Sequence, residues 1–394
     1  MSSRIPPNQT IKISPKKRAA SSLLYLLATA WRARNALRQP KARRVVVLEP
    51  VGLGDMVGFN PLVRELLARQ YEVMLCSKPE WRALYPDHPN QTWIDMRLPW
   101  TSHNEKIKLK LDLYLKEPTS GDLRRMGSVA SGAVGLDTRG DIRSVLLLYW
   151  AGCRRVISLS NYLGSDLSMW SSAAEIVPFD NTIRRWELNA RFLKALDPAA
   201  DLSRIDPPRL DHLIHPQPAR RVGLMPVAPW AGKFWPRERW QAVADHLRQR
   251  GYEVVAFCGP GQTARAVEQI GNELRVVECG SVESWAREFN QCAFIVTLDS
   301  GPMHLADALG VPVIALFGQA KLPLWAPSGP RAIYLSHHDD PDFAICHPVD
   351  ANTHLGQKFM NRITVEDVLA AIRKVEENAP LTLPGNKSAA CPAH

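Results

Sequence analysis

Asp299-Ser-Gly-Pro-Met-His304, running on through Leu305-Ala-Asp-Ala-Leu-Gly310-Val-Pro-Val-Ile-Ala-Leu-Phe-Gly318, decides the fold of this 394-residue chain. An apolar run, Phe294–Leu298, precedes it, and a second, Val313–Phe317, lies inside it. Short apolar runs bounded by turn residues read as buried strands. Pro302 suits the first position of a helix, where a missing N–H costs nothing, and Gly310 followed by Pro312 reads as a stop. The order is therefore strand, break, short helix, strand. Free backbone N–H groups and the positive end of a helix face the break, so an anion is favoured there. Asp299, Ser300 and His304 gather around the same point. Together they make a candidate site for a phosphorylated ligand that carries hydroxyl groups.

The same alternation extends outward in both directions. Arg44–Glu49 reads as a strand leading into Val51-Gly-Leu-Gly-Asp55, with a helix to about Gln70. Strands are expected at Tyr71–Cys76, from Trp93, at Gly132–Asp137 and at Arg155–Leu159, with a helix through Leu146–Trp150. Prolines 198, 207, 208, 216 and 218 mark a linker, after which the pattern restarts at Val222. A helix over 236–249 and a strand over Gly251–Phe257, ending in Gly259-Pro-Gly261, follow it. Strands alternating with helices imply parallel βαβ units and an α/β fold in two consecutive halves. Thr364-Val-Glu-Asp367 reads as a capping box opening a helix to about Glu377, and the tail after it as disordered.

Charge is unevenly placed. Residues 1–44 hold eleven Lys and Arg and no acid; taking these from the chain's 49 leaves 38 against 39 acidic residues. The near-neutral remainder argues against a nucleic-acid surface on the folded halves. Within the basic segment, Ser22-Leu-Leu-Tyr-Leu-Leu-Ala-Thr-Ala-Trp31 is flanked by Lys16-Lys-Arg18 and by Arg32, Arg34 and Arg38. It reads as an amphipathic helix on an anionic membrane surface, as a helix packed on the protein itself, or as a secretion signal. Seven scattered cysteines, most in or beside apolar runs, favour a reduced intracellular protein over a disulfide framework.

Chemistry has several candidate seats. The loop Gly52-Leu-Gly-Asp55 joins a strand to a helix, where open α/β sheets present ligands, although Val57 stands where a dinucleotide fingerprint needs its third glycine. Taken alone, Asp55 reads as a helix cap or as a base. Lys233, in the loop Ala228–Trp240, suits a phosphate, with Trp235 and Trp240 anchoring the loop; a solvated lysine is the alternative. Gly259-Pro-Gly261 reads as a turn or as a close approach to a ligand. His337, His338, Cys346, His347 and His354 fit no standard metal spacing, and no G-x-S-x-G elbow is present.

In sequence order, Gly52-Leu-Gly-Asp55 with Pro61, Leu136-Asp-Thr-Arg139, Lys233-Phe-Trp-Pro-Arg-Glu-Arg-Trp240, Gly259-Pro-Gly261 and Asp299–Gly310 resemble glycosyltransferase family 9, the bacterial heptosyltransferases of lipopolysaccharide core assembly. The resemblance spans roughly residues 44–330. It implies a GT-B fold, two Rossmann-like domains facing across a cleft. The division it suggests is a basic extension over 1–43, an acceptor domain over 44–200, a linker over 201–220, a donor-nucleotide domain over 221–362, a helix over 363–377 and a tail over 378–394. It further implies inverting transfer, without metal or other cofactor, from a nucleotide-diphosphate sugar, ADP-heptose foremost, to a lipid-linked or surface-glycan acceptor at the inner face of the cytoplasmic membrane. By this resemblance Asp55 is the general base, with Gly52 and Gly54 beside it on the acceptor side. Lys233 meets the phosphates, Asp299 the sugar hydroxyls, and Ser300, Gly301 and Pro302 the diphosphate; His304, Gly259 and Gly261 complete the donor side. One departure stands out: family members often carry an acid near the ribose shortly after the Gly-Pro turn, whereas Gly261 is followed here by Gln262-Thr-Ala-Arg265. A non-catalytic sugar-nucleotide-binding protein and a sugar-nucleotide epimerase are the competing readings.

Overall fold

The apolar runs become the central strands of two parallel sheets. The computed structural model describes residues 15–41, 43–49, 52–97, 119–159, 171–217, 220–318, 322–343 and 354–378. The expectation of a disordered tail beyond 378, and Cys346 and His347, lie outside them. The first sheet contains β1 (Arg44–Leu48), β2 (Glu72–Ser77), β3 (Gln91–Asp95), β4 (Val134–Asp137), β5 (Arg155–Leu159) and β6 (Glu175–Val177), in the order β3-β2-β1-β4-β5-β6. The second contains β7 (Arg221–Met225), β8 (Glu253–Cys258), β9 (Arg275–Glu278), β10 (Phe294–Leu298), β11 (Val313–Phe317) and β12 (Ala332–Ser336). Read from its β9 edge, its order is β9-β8-β7-β10-β11-β12, the same topology as the first. Every strand pair is parallel. β7, β10 and β11 are buried along their whole length, as strands covered on both faces must be.

Helices cover the four faces. α1 (Pro15–Ala36), α2 (Leu53–Ala68), α3 (Thr119–Ala130), α4 (Ile142–Trp150) and α5 (Arg185–Leu196) belong to the first sheet. α6 (Arg237–Gln249), α7 (Thr263–Ile270), α8 (Val282–Phe289), α9 (Gly301–Ala308), α10 (His354–Met360) and α11 (Val365–Asn378) follow with the second. The expected capping box is present at α11: Thr364 N donates to Asp367 Oδ2 at 2.8 Å, and Asp367 N to Thr364 Oγ1 at 3.1 Å. α1 packs on the protein itself. Tyr25 and Ala28 are buried with Val46, Leu48 and Met74, and Asn35 Nδ2 donates to the carbonyls of Tyr149 and Cys153. Its opposite face leaves Leu23, Leu26 and Leu27 59, 67 and 44% exposed.

One apolar cluster runs through both halves. It includes Val45, Val47, Phe59 and Leu62 of the first and Met303, Leu305, Val313 and Phe317 of the second. The halves therefore meet through a shared core as well as through polar contacts. Trp235 and Trp240, 1 and 0% exposed, pack edge to face with ring centroids 5.2 Å apart. Trp235 Nε1 donates to Ile363 O at 2.8 Å, so the Lys233 loop is pinned to the segment that leads into α11. Truncating either indole would cost roughly 3–5 kcal/mol.

Candidate active site

In each sheet, strand order reverses between the first and fourth strands, β1/β4 and β7/β10. Ligands of open α/β sheets bind outside the carboxyl ends of the strands at such a switch point. The loops leaving these four strands hold Gly52–Asp55, Thr138–Arg139, Trp230–Lys233 and Asp299–Pro302. All of the expected site residues on these loops are brought to facing edges of the two halves.

The halves touch through glycine. A β-carbon on Gly54 would stand 2.8 Å from His304 Cδ2, and one on Gly301 would stand 3.1 Å from Leu53 Cβ and 3.2 Å from Gly54 N. The N-terminus of α9 thus abuts the N-terminus of α2, and any side chain at Gly54 would separate them. Two helix N-termini pointing at one place reinforce its preference for anions.

Asp55 does not serve as a cap. The N-cap of α2 is Gly52, without a side-chain cap bond, and buried Asp55 Oδ1 has no hydrogen-bond partner. Two guanidiniums stand off at 3.8 Å: Arg139 Nη1 from Oδ2 and Arg185 Nε from Oδ1. That separation is too long for a hydrogen bond, so neither guanidinium occupies the carboxylate's lone pairs. The turn that carries Arg139 is held by Asp137, which accepts from Arg139 N at 3.2 Å, Asp141 N at 2.9 Å and Ser158 Oγ at 2.6 Å. Burial lifts the Asp137 carboxyl to about 7. Arg185 Nη2 donates to Thr138 O at 2.9 Å, while its backbone N–H donates across to Leu324 O at 2.9 Å.

On the opposite edge, Lys233 Nζ lies 2.5 Å from Asp299 Oδ2 and 3.1 Å from Asp299 O, over the Trp230 ring at 4.8 Å. Ser300 occupies the N-cap of α9, yet its hydroxyl makes no cap bond and is buried without a partner. A buried hydroxyl is seldom left unsatisfied unless something else is to fill it. His304 is half-buried between Gly54 and the Trp325 ring, whose centroid is 6.2 Å away, and desolvation lowers its pKa, favouring the neutral imidazole. Asp307, deeper in α9, is used structurally, accepting from Ser328 N and Gly329 N at 2.6 and 3.0 Å.

The Gly259-Pro-Gly261 turn lies at the end of β8, with Gly261 at φ +70°, a left-handed conformation that favours glycine. Beside it the structure places an acid that sequence reasoning missed. Glu278, ending β9, accepts from Thr263 Oγ1 at 2.8 Å, and the Gly261 N–H together with that hydroxyl holds its carboxyl below the ordinary value. An acid about twenty residues beyond a glycine turn is the signal that could have found it. Arg185 was missed as well. A buried arginine in the first turn of a helix opposes the helix dipole, which is its signal. Among the described residues, no cluster of three or more His, Cys, Asp or Glu is arranged to hold a metal.

Comparison with known proteins agrees with this geometry. Residues 176–349 match the model of glycosyltransferase family 9 (heptosyltransferase). Lipopolysaccharide heptosyltransferase 3 of Escherichia coli K12 is 29% identical over 173 residues, 40% of this chain and 47% of that protein. Lipopolysaccharide heptosyltransferase 2 of the same strain is 31% identical over 125 residues, 28% of this chain and 34% of that protein. The match thus spans about half the length, or less, of these curated relatives. Among solved structures, a family 9 glycosyl transferase from Veillonella parvula superposes with a TM-score of 0.65 at 18% identity, covering 86% of this chain and 99% of that one. E. coli heptosyltransferase WaaC with ADP gives 0.62 at 14% identity, covering 85% and 100%. The chain thus has the GT-B fold of these solved structures, and its residues 176–349 are similar to glycosyltransferase family 9.

Proposed function

We propose that the chain is an inverting glycosyltransferase that moves a heptose from ADP-heptose to a lipopolysaccharide or other surface-glycan acceptor, with residues 44–200 holding the acceptor and 221–362 the donor. One observation carries this reading: the unpartnered Asp55 Oδ1 of one half and the unpartnered Ser300 hydroxyl of the other stand at facing switch points. In the reaction, the acceptor hydroxyl attacks the anomeric carbon opposite the nucleoside diphosphate. Its proton passes to Asp55 as the new C–O bond forms and the bond to the diphosphate breaks. Charge growing on the leaving group is met by Lys233 and the N–H groups at the start of α9, a reading that assigns no role to a metal. Asp299 is assigned to the sugar hydroxyls. His304, as a neutral ring, packs beside the same sugar, with Gly52 and Gly54 shaping the acceptor side. Glu278, beside the Gly259–Gly261 turn, is assigned the ribose hydroxyls, supplying from β9 the acid missing after that turn.

The family relatives named for lipopolysaccharide heptose transfer, and the solved heptosyltransferase bound to ADP, support the choice of donor. No helix among the described residues is long and apolar enough to cross a membrane. The outward leucines of α1 and the basic N-terminal segment support peripheral attachment to an anionic membrane, which we place at its cytoplasmic face. A test is to incubate the protein with ADP-heptose, with and without heptose-deficient lipopolysaccharide. ADP release and a new glycosidic bond only when both are present are expected. Tight donor binding without any product would favour a non-catalytic sugar-nucleotide protein instead.

A further inference from the structure

Behind Asp55 lies a second carboxylate that the mechanism above does not use. Glu49, directly after β1, is 1% exposed. Its Oε2 accepts from Thr138 Oγ1 at 2.6 Å, and that hydroxyl also reaches Leu48 O at 3.3 Å. Burying an acid here is costly, and the strand does not require one: the Glu49 backbone N–H donates to Cys76 O at 3.1 Å whatever the side chain, and Thr138 has a backbone acceptor without it. Desolvation pushes the Glu49 carboxyl up, and the Asp55 charge pushes it further, while Arg139, Arg185 and the Thr138 hydrogen bond pull it back.

The charges facing the pair come from every surrounding element. Arg139 follows β4, and Arg185 opens α5. Lys78 follows β2 and feels both carboxylates, with burial lowering its pKa. The buried Tyr85 hydroxyl, donating to Met56 O at 2.6 Å, feels Glu49, and His304 reaches toward Asp55 from α9. Two arginines beside a single carboxylate would be expected to close on it as tight, hydrogen-bonded pairs. Here both remain at 3.8 Å, and Asp55 Oδ1 keeps a free lone pair.

We propose that Glu49 is a positioning residue for Asp55: its buried charge offsets Arg139 and Arg185, so that Asp55 stays open to accept the acceptor's proton. The proposal rests on reading Asp55 as the base. Without Glu49 the cluster gains one positive charge, and a more positive site takes up a proton less readily. Loss of a nearby buried charge shifts a neighbouring titration by about half to one pH unit.

The test compares pH–rate profiles of the full-length protein with ADP-heptose and acceptor, alongside ADP affinity and melting temperature. Glu49→Gln keeps the shape and an acceptor for Thr138. The acid limb should move to lower pH by about half to one unit, and kcat should fall roughly three- to tenfold, with ADP affinity unchanged. A folded Glu49→Gln protein whose acid limb stays in place overturns the proposal, however active it is, because a purely structural role alters stability or kcat without moving the limb. Should that variant not fold, Arg139→Gln probes the same balance from the other side. Its acid limb should move to higher pH, and an unmoved limb contradicts the proposal. Asp55→Asn separates the two claims: full turnover there refutes the base itself, whereas an inactive Asp55→Asn with an unmoved Glu49→Gln limb refutes only the role of Glu49.

Discussion

Lys233 and Asp299 hold each other at the start of α9, and on the proposed reading a diphosphate and a sugar compete for the pair. The lysine should therefore matter to donor binding more than to chemistry. Lys233→Ala is expected to weaken ADP binding at least about tenfold by calorimetry, the scale of a lost charge-assisted contact. Unaltered affinity would remove the lysine from the phosphate site. Asp55, Lys233 and Asp299 were legible in the sequence because each sits at the end of a readable strand or in a glycine-containing loop. Arg185, Glu49 and Glu278 were not. Glu49 ends a strand like many solvated acids, and only the fold sets it behind Asp55. Glu278 closes a strand with just two apolar residues, Val276 and Val277, too short a run to announce itself.

Among elements, α1 shows what periodicity leaves open. The apolar run over Ser22–Trp31 suits a membrane face or a domain face, and the helix presents both. Tyr25 and Ala28 enter the core over β1 and β2, while Leu23, Leu26 and Leu27 look outward. Deleting the segment would unroof the first sheet, so the membrane question is better put to the outer face alone. Replacing Leu23, Leu26 and Leu27 with Ser should abolish co-sedimentation with phosphatidylglycerol-containing vesicles and leave the melting temperature within a few degrees, since exposed positions contribute little to stability. Undiminished sedimentation would locate membrane attachment elsewhere or dismiss it. The central strands β1, β5, β7, β10 and β11 were legible because burial on both faces demands unbroken apolar runs. The edges β6, β9 and β12 were not, since half-exposed strands carry mixed residues.

Over the whole molecule, repetition of one topology explains why the site forms at all. Each half presents its switch point to the other, and the shared apolar cluster with the Gly54–His304 and Gly301–Leu53 approaches sets their spacing. On the proposed reading, Asp55 as a base on one edge and the helix end of α9 on the other form the arrangement that inverting transfer needs. The order of the motifs along the chain already implied that pairing; the glycine contacts that bring the halves together became visible only in three dimensions. The most direct measurement is turnover of Asp55→Asn with ADP-heptose and a lipopolysaccharide acceptor, set beside its affinity for ADP-heptose. The account predicts a loss of at least about a hundredfold in kcat, the contribution of a positioned base, with donor affinity changed by no more than a few-fold. Turnover at the wild-type rate would contradict it.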